Sequence, residues 1–169
     1  MPDNEQHIKV DSAQSISRMC FVCGEDNRYG LHARFLNLAD GRVACQFTAQ
    51  NEHQGYPGRM HGGVISSVLD ELIGRLLQVK DPTSFAVTLE LSVKYRKPVP
   101  LGEELTAIAW TTNETARLLE GDAELYLADG SVAIQASAKY LKMAVERIAP
   151  EGLAEVDWFA DRRPYPPEL

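Results

Sequence analysis

Between Gly62 and Val79 the large apolar residues come in pairs four apart: Val64/Ile65, Val68/Leu69, Leu72/Ile73 and Leu76/Leu77. That period lays a broad apolar stripe along one face of a helix. Lys80-Asp81-Pro82 then ends it, because proline neither donates a backbone hydrogen bond nor fits the helix interior. No other stretch carries the pattern over such a length. Upstream, Leu31, Ala33 and Phe35 alternate, as do Val43, Cys45 and Phe47, with the turn sequence Ala39-Asp40-Gly41 between them, so 31–48 predicts a hairpin. Downstream, "FAVTLELSVKYRK" places Phe85, Val87, Leu89, Leu91, Val93 and Tyr95 on one face of a strand and Thr88, Glu90, Ser92, Lys94 and Arg96 on the other. Three more strands follow, the last two joined through Asp129-Gly130. The order is two strands, one long helix, then about four strands. One helix cannot cover both faces of such a sheet, so the expected class is α+β, a curved antiparallel sheet of about six strands wrapped around one central helix.

At 169 residues the chain suits one domain with a substantial core. A polar arm is expected over 1–17, the folded domain over 18–143, and an irregular tail over 144–169, where Pro150, Pro164, Pro166 and Pro167 fall. Seventeen basic against 24 acidic residues give a net charge of −7. That opposes nonspecific nucleic-acid binding, which needs a positive field. No apolar run approaches the roughly 20 residues of a membrane span, and "MPDNEQHIKVDSAQSIS" lacks the regions of a secretion signal. Three cysteines do not make a disulfide framework, so a cytoplasmic location is expected.

The chemistry concentrates in "GRMHGGVISSVLDELIG" (58–74). The first N–H groups of a helix lack intrahelical partners and carry the positive end of its dipole. Glycine at 62 and 63 lets a carbonyl oxygen approach the Gly62 or Gly63 N–H, as in an oxyanion hole; the alternative is a glycine pair that only shapes the loop-to-helix junction. Glu71 has Arg75 four residues on and reads as a solvated helix pair. Asp70 has only Ile73 and Gly74 at those spacings, and aspartate disfavours helix interiors. Gly62 and Asp70 lie ~12 Å apart along the axis at 1.5 Å per residue, too far to serve one reacting centre. Two antiparallel copies of the helix across a two-fold axis would bring one chain's Gly62 to the other's Asp70. A site built from these groups therefore requires at least a dimer.

"HQGYPGRMHGGVISSVLDELIG" (53–74) resembles the signature of the hotdog-fold thioesterases, specifically the phenylacetate-pathway, PaaI-like branch, in which an acidic residue follows the histidine of His-Gly-Gly by nine positions. "CFVCGEDNRYGLHARF" (20–35) is similar to the start of that branch and "VTLELSVKYRKPV" (87–99) to its long strand after the helix. The resemblance covers about residues 20–143. It implies the hotdog fold, homodimers often paired into tetramers, and hydrolysis of acyl-CoA thioesters without a metal or redox cofactor. It makes Asp70 the general base or nucleophile, the partner chain's Gly62 N–H the group that polarises the thioester carbonyl, and His61 a supporting residue. Gln54 resembles a position that can face substrate, and Gly63 would line the same site. Relatives with Ser or Thr one turn after the carboxylate hold the attacking water there. This chain has Gly74, so Ser67 or Thr88 would have to hold it. Arg59, Arg96 and Lys97 are candidates for the CoA phosphates, or simply solvated charges at strand and loop ends. A rival reading is a module that binds acyl-CoA without efficient turnover, which Gly74 favours.

Cys20 and Cys23 form half of a zinc site that Cys45, His53 or His32 would have to complete, and the βαβ setting of a redox CxxC is missing. Ser66 and Ser67 lack the G-x-S-x-G elbow of a serine nucleophile.

Overall fold

The computed structural model describes residues 8–154 and 157–169. In chain order it contains β1 (Val10–Ala13), β2 (Ser15–Ser17), β3 (Arg34–Leu38), β4 (Val43–Thr48), α1 (Gly62–Gly74), β5 (Ala86–Tyr95), β6 (Glu104–Glu114), β7 (Leu118–Tyr126), β8 (Val132–Lys142), α2 (Val145–Ile148) and β9 (Trp158–Ala160). The predicted long helix is α1, which tightens into a 3₁₀ turn over Arg75–Val79. Seven strands form one sheet in the order β1-β3-β4-β6-β7-β8-β5, every neighbouring pair antiparallel. This is the hotdog arrangement: the sheet curls around α1, and β1 extends the six strands expected from the sequence. Among the described residues no helix is long and apolar enough to cross a membrane.

Side-chain size sets how closely α1 seats. Its inner face carries Val68, Leu69, Leu72 and Ile73, all at 0% exposure, each contributing ~1.5–3 kcal/mol by full burial. The sheet meets them with small residues in register: Ala107 opposite Leu125, Ala109 opposite Ala123, Ala123 opposite Ala136, and Gly121 opposite Ala138. A Cβ on Gly121 would stand only 2.8 Å from Ile73 Cγ2 and from Leu76 Cδ1. The helix thus rests on the β7 backbone itself.

Three expectations need correction. The alternation along 85–95 does not keep one face, because a β-bulge sits between Thr88 and Glu90: Thr88 pairs with Tyr140, Glu90 with Lys139, and Leu89 is the extra residue. The phase shift turns Thr88 to the helix side together with Leu91, Val93 and Tyr95, whereas Leu89 is 55% exposed. β5 is also a sheet edge, paired only with β8.

The arm expected over 1–17 is structured where it is described. β1 joins the sheet beside β3, and Val10 packs with Leu36, Leu38 and Ala44 in a second apolar cluster. Residues 1–7 lie outside the described residues. The tail expected to be irregular is tied down as well. β9 pairs with β2, and Leu169 and Ile8 exchange backbone hydrogen bonds of 3.0 Å in both directions. These pairings join residues more than 140 positions apart, beyond the reach of local periodicity.

Candidate active site

α1 and β5 run antiparallel, so each end of the helix meets a different part of the strand: Gly62 lies against Tyr95, and Asp70 against Thr88. At the first end His61 caps α1. Its Nδ1 accepts the Gly63 N–H at 2.9 Å, which fixes the ring's proton on Nε2. The Val64 and Ile65 N–H groups both go to the His61 carbonyl oxygen, at 3.0 and 3.1 Å. Of the first-turn donors, the Gly62 N–H alone has no acceptor among the described residues. The cap therefore removes Gly63 as a carbonyl donor and leaves Gly62. The Tyr95 hydroxyl donates to the Gly62 carbonyl oxygen at 2.8 Å and lies 2.6 Å from the Ser66 hydroxyl.

At the other end, Asp70 Oδ1 accepts two hydroxyls, Thr88 Oγ1 at 2.8 Å and the Tyr140 phenol at 3.0 Å. The phenol proton is shared with the Asp70 carbonyl oxygen, 2.6 Å away. No described residue donates to Oδ2. Asp70 is half-buried, Thr88 exposed and Tyr140 buried. Burial, reinforced by the Asp70 charge, pushes the Tyr140 phenol well above its ordinary pKa, so it remains a donor. The carboxylate is thus anchored by one oxygen with the other open.

Of the two residues proposed to replace the missing helical hydroxyl, Thr88 reaches Asp70 and Ser67 does not: the Ser67 hydroxyl returns to the Gly63 carbonyl of its own helix at 3.0 Å. Gln54 is exposed, and its side-chain oxygen closes its own loop by accepting the Gly58 N–H at 3.0 Å. Arg96 and Lys97 follow Tyr95 and lie exposed at the Gly62 end; Arg96 Nε donates to Gln135 at 3.3 Å. Arg59 is exposed in the preceding loop, bridged to Pro100.

Tyr140 was not singled out from the sequence. Its signals were a lone aromatic after Ile134, Ala136 and Ala138 on one face of β8, and a glycine inside a helix. Neither identifies a partner 70 residues away.

Glu71 and Arg75 are not a solvated pair. Their side chains are 20% and 3% exposed, and Arg75 also donates to the Ser15 carbonyl and to Cys23 Sγ while stacking 4.1 Å above the Phe35 ring and 4.8 Å from that of Trp158. The i,i+4 spacing is blind to whether that helix face is covered; here β2, β9 and the 20–24 loop cover it. Cys20, Cys23 and Glu71 bring their donor atoms within 4.8 Å of one another. Arg75, however, donates to both Glu71 and Cys23, placing a permanent positive charge where a metal cation would compete. The proposed completing ligands lie elsewhere: Cys45 is in the core on β4, and His53 accepts the Gln50 N–H and contacts the Tyr29 carbonyl, both at 2.9 Å.

Comparison with known proteins gives a consistent picture. Residues 57–134 match the family model of the thioesterase superfamily. Acyl-coenzyme A thioesterase THEM4 of Rattus norvegicus is 34% identical over 70 residues, 41% of this chain and 29% of that protein, so the chain spans less than a third of that relative's length. The crystal structure of a thioesterase superfamily protein is 28% identical with a TM-score of 0.68, covering 75% of this chain and 61% of the other. The PaaI protein of the E. coli phenylacetic acid degradation operon is 17% identical with a TM-score of 0.61, covering 68% and 81%, a likeness of fold alone.

Proposed function

We propose that this chain, whose residues 57–134 match the thioesterase superfamily model, hydrolyses acyl-CoA thioesters to the free acid and CoA as a homodimer with shared sites. The observation that carries the reading is the pair of complementary half-sites on α1: an Asp70 carboxylate held by one oxygen only, and an unaccepted Gly62 N–H eight residues away. The free edge of β5 runs beside both and is the natural seam for a second copy.

In the proposed reaction, water lies against Asp70 Oδ2 and the Thr88 hydroxyl oxygen, which retains lone pairs after donating its own proton to Asp70. Both water hydrogens then point to the protein and a lone pair faces the thioester carbon. Asp70 takes one proton as the oxygen–carbon bond forms, and the partner's Gly62 N–H holds the carbonyl oxygen as it gains charge. Collapse breaks the carbon–sulfur bond, and the proton on Asp70 leaves with the CoA sulfur. His61 positions Gly62 by capping the helix. Gly63, Gln54 and Ser67 line the approach, and Arg59, Arg96 and Lys97 meet the CoA phosphates. Free thiols at Cys20, Cys23 and Cys45 suit a reducing cytoplasm.

Release of free CoA thiol from aryl- and medium-chain acyl-CoA tests this reading. Asp70→Asn lowers kcat by ~10²–10⁴, the usual contribution of a positioned base. Equal, slow release by wild type and Asp70→Asn would instead establish the binding module. That rival drew its support from Gly74, and the Thr88 hydroxyl beside Asp70 supplies the water contact that position 74 lacks.

A further inference from the structure

We propose that Tyr140 is a positioning residue for Asp70, and that Gly74 is glycine in order to admit its ring. The inference rests on the reading of Asp70 as the base. Gly74 has ordinary helical dihedrals, φ −58° and ψ −30°, so no special backbone conformation requires glycine there. Glycine inside a helix nonetheless costs ~1 kcal/mol relative to alanine. What it supplies is space: a Cβ at 74 would lie 3.3 Å from Tyr140 Cε1 and 3.7 Å from Cδ1 and Cζ. The ring lies over the site where a residue one turn after Asp70 would project, and its hydroxyl reaches back to Asp70 from there.

The hydroxyl has no other use. Tyr140 is 2% exposed and stands in the apolar row of Ile134, Ala136 and Ala138 on β8. An unpaired phenol there would be strongly unfavourable, and its hydrogen bonds go to the carbonyl oxygen and Oδ1 of Asp70. One proton shared between these two atoms ties the carboxylate to its own backbone and restricts rotation about the side-chain bonds. Thr88 holds the same Oδ1 from the neighbouring strand. Together they leave Oδ2 as the oxygen that can take a proton from water. The water contact of a helical Ser or Thr thus passes to Thr88, the orientation of the carboxylate is shared with Tyr140, and the helix yields the volume.

The test is steady-state CoA release by Asp70→Asn, Tyr140→Phe and Gly74→Ala, with thermal unfolding of each. Tyr140→Phe keeps the ring and removes the hydroxyl; kcat falls roughly 10- to 100-fold, the scale of a misoriented reacting group, with KM held within about twofold because no substrate contact is lost. Gly74→Ala keeps the hydroxyl but displaces the ring; kcat falls several-fold with KM held, although alanine is the better helix former. Should Tyr140→Phe fail to fold, Gly74→Ala decides the matter by the same split. Wild-type kcat, or a change confined to KM, in a folded Tyr140→Phe alongside an inactive Asp70→Asn overturns the role of Tyr140 and leaves that of Asp70 intact. A fully active Asp70→Asn overturns both.

Discussion

Thr88 and Tyr140 sit opposite each other in the β5–β8 ladder, and both hydroxyls end on the same oxygen of Asp70, at 2.8 and 3.0 Å. They differ in exposure: Thr88 is open to solvent and Tyr140 is buried. In the proposed reaction Thr88 can therefore touch the attacking water, whereas Tyr140 acts only through the carboxylate.

Replacing Thr88 should separate those roles. Thr88→Val keeps the shape of the side chain and removes the water's second acceptor, so kcat falls by roughly tenfold or more. Thr88→Ser keeps the hydroxyl and recovers most of the rate. Equal rates for the valine and serine variants in the CoA-release assay would remove Thr88 from the site.

Subunit mixing tests the shared site directly. Gly62→Pro deletes the N–H at the first helical position, where proline is tolerated, and is inactive alone, as is Asp70→Asn. A hybrid dimer joins the intact Gly62 of one chain to the intact Asp70 of the other at one of its two sites. Refolding the variants together in equal amounts should restore about a quarter of wild-type activity, since half of the dimers are hybrids. No recovery, from dimers shown by mass to be mixed, would mean that each chain is self-sufficient.

Arg75→Met should destabilise the fold without touching the chemistry. The thioether fills part of the space, but Glu71 loses its cation and Cys23 and the Ser15 carbonyl lose a donor. Removing one member of such a buried pair costs about 3 kcal/mol, which for a domain of this size lowers Tm by roughly 10 °C. The double variant Glu71→Leu/Arg75→Met recovers much of the loss, because no buried charge remains.

Acid should release the C-terminal segment. Burial works to raise the Asp161 pKa, but hydrogen bonds from Arg163 outweigh it, and the carboxyl ends below its ordinary value. Arg163 in turn donates to the His32 carbonyl. A depressed folded pKa contributes stability in full above the unfolded value of about 3.9 and loses it as pH falls through the folded value. In a Trp110→Phe background, Trp158 fluorescence should shift below about pH 4. Asp161→Asn should abolish that acid-dependent step.

The helix, the hairpin and the solitary carboxylate were legible because each is a local signal: a period, a turn or a missing neighbour at i+4. The rise of a helix sets Asp70 and Gly62 too far apart for one centre, and the resemblance of 53–74 to the thioesterase signature gives them their proposed roles. Tyr140 did not, because its link to Asp70 depends on β8 and α1 being packed face to face. Arg75 misled because pair spacing says nothing of what lies above the helix. β1 and β9 are short strands whose partners are fixed only in the assembled fold. Along 85–95 an unbroken alternation concealed one inserted residue.

That inserted residue has a consequence for how β5 can vary. Leu91 and Val93 answer to the packing beneath the strand, whereas Thr88 answers to the reaction proposed beside it, three and five positions away. In an unbulged strand they would point opposite ways, so any sequence that suited the core would misplace the hydroxyl. Leu89, belonging to neither, uncouples the two demands: substitutions in the lower half can be tried against stability and those at 88 against rate, but a deletion at 89 would set one against the other.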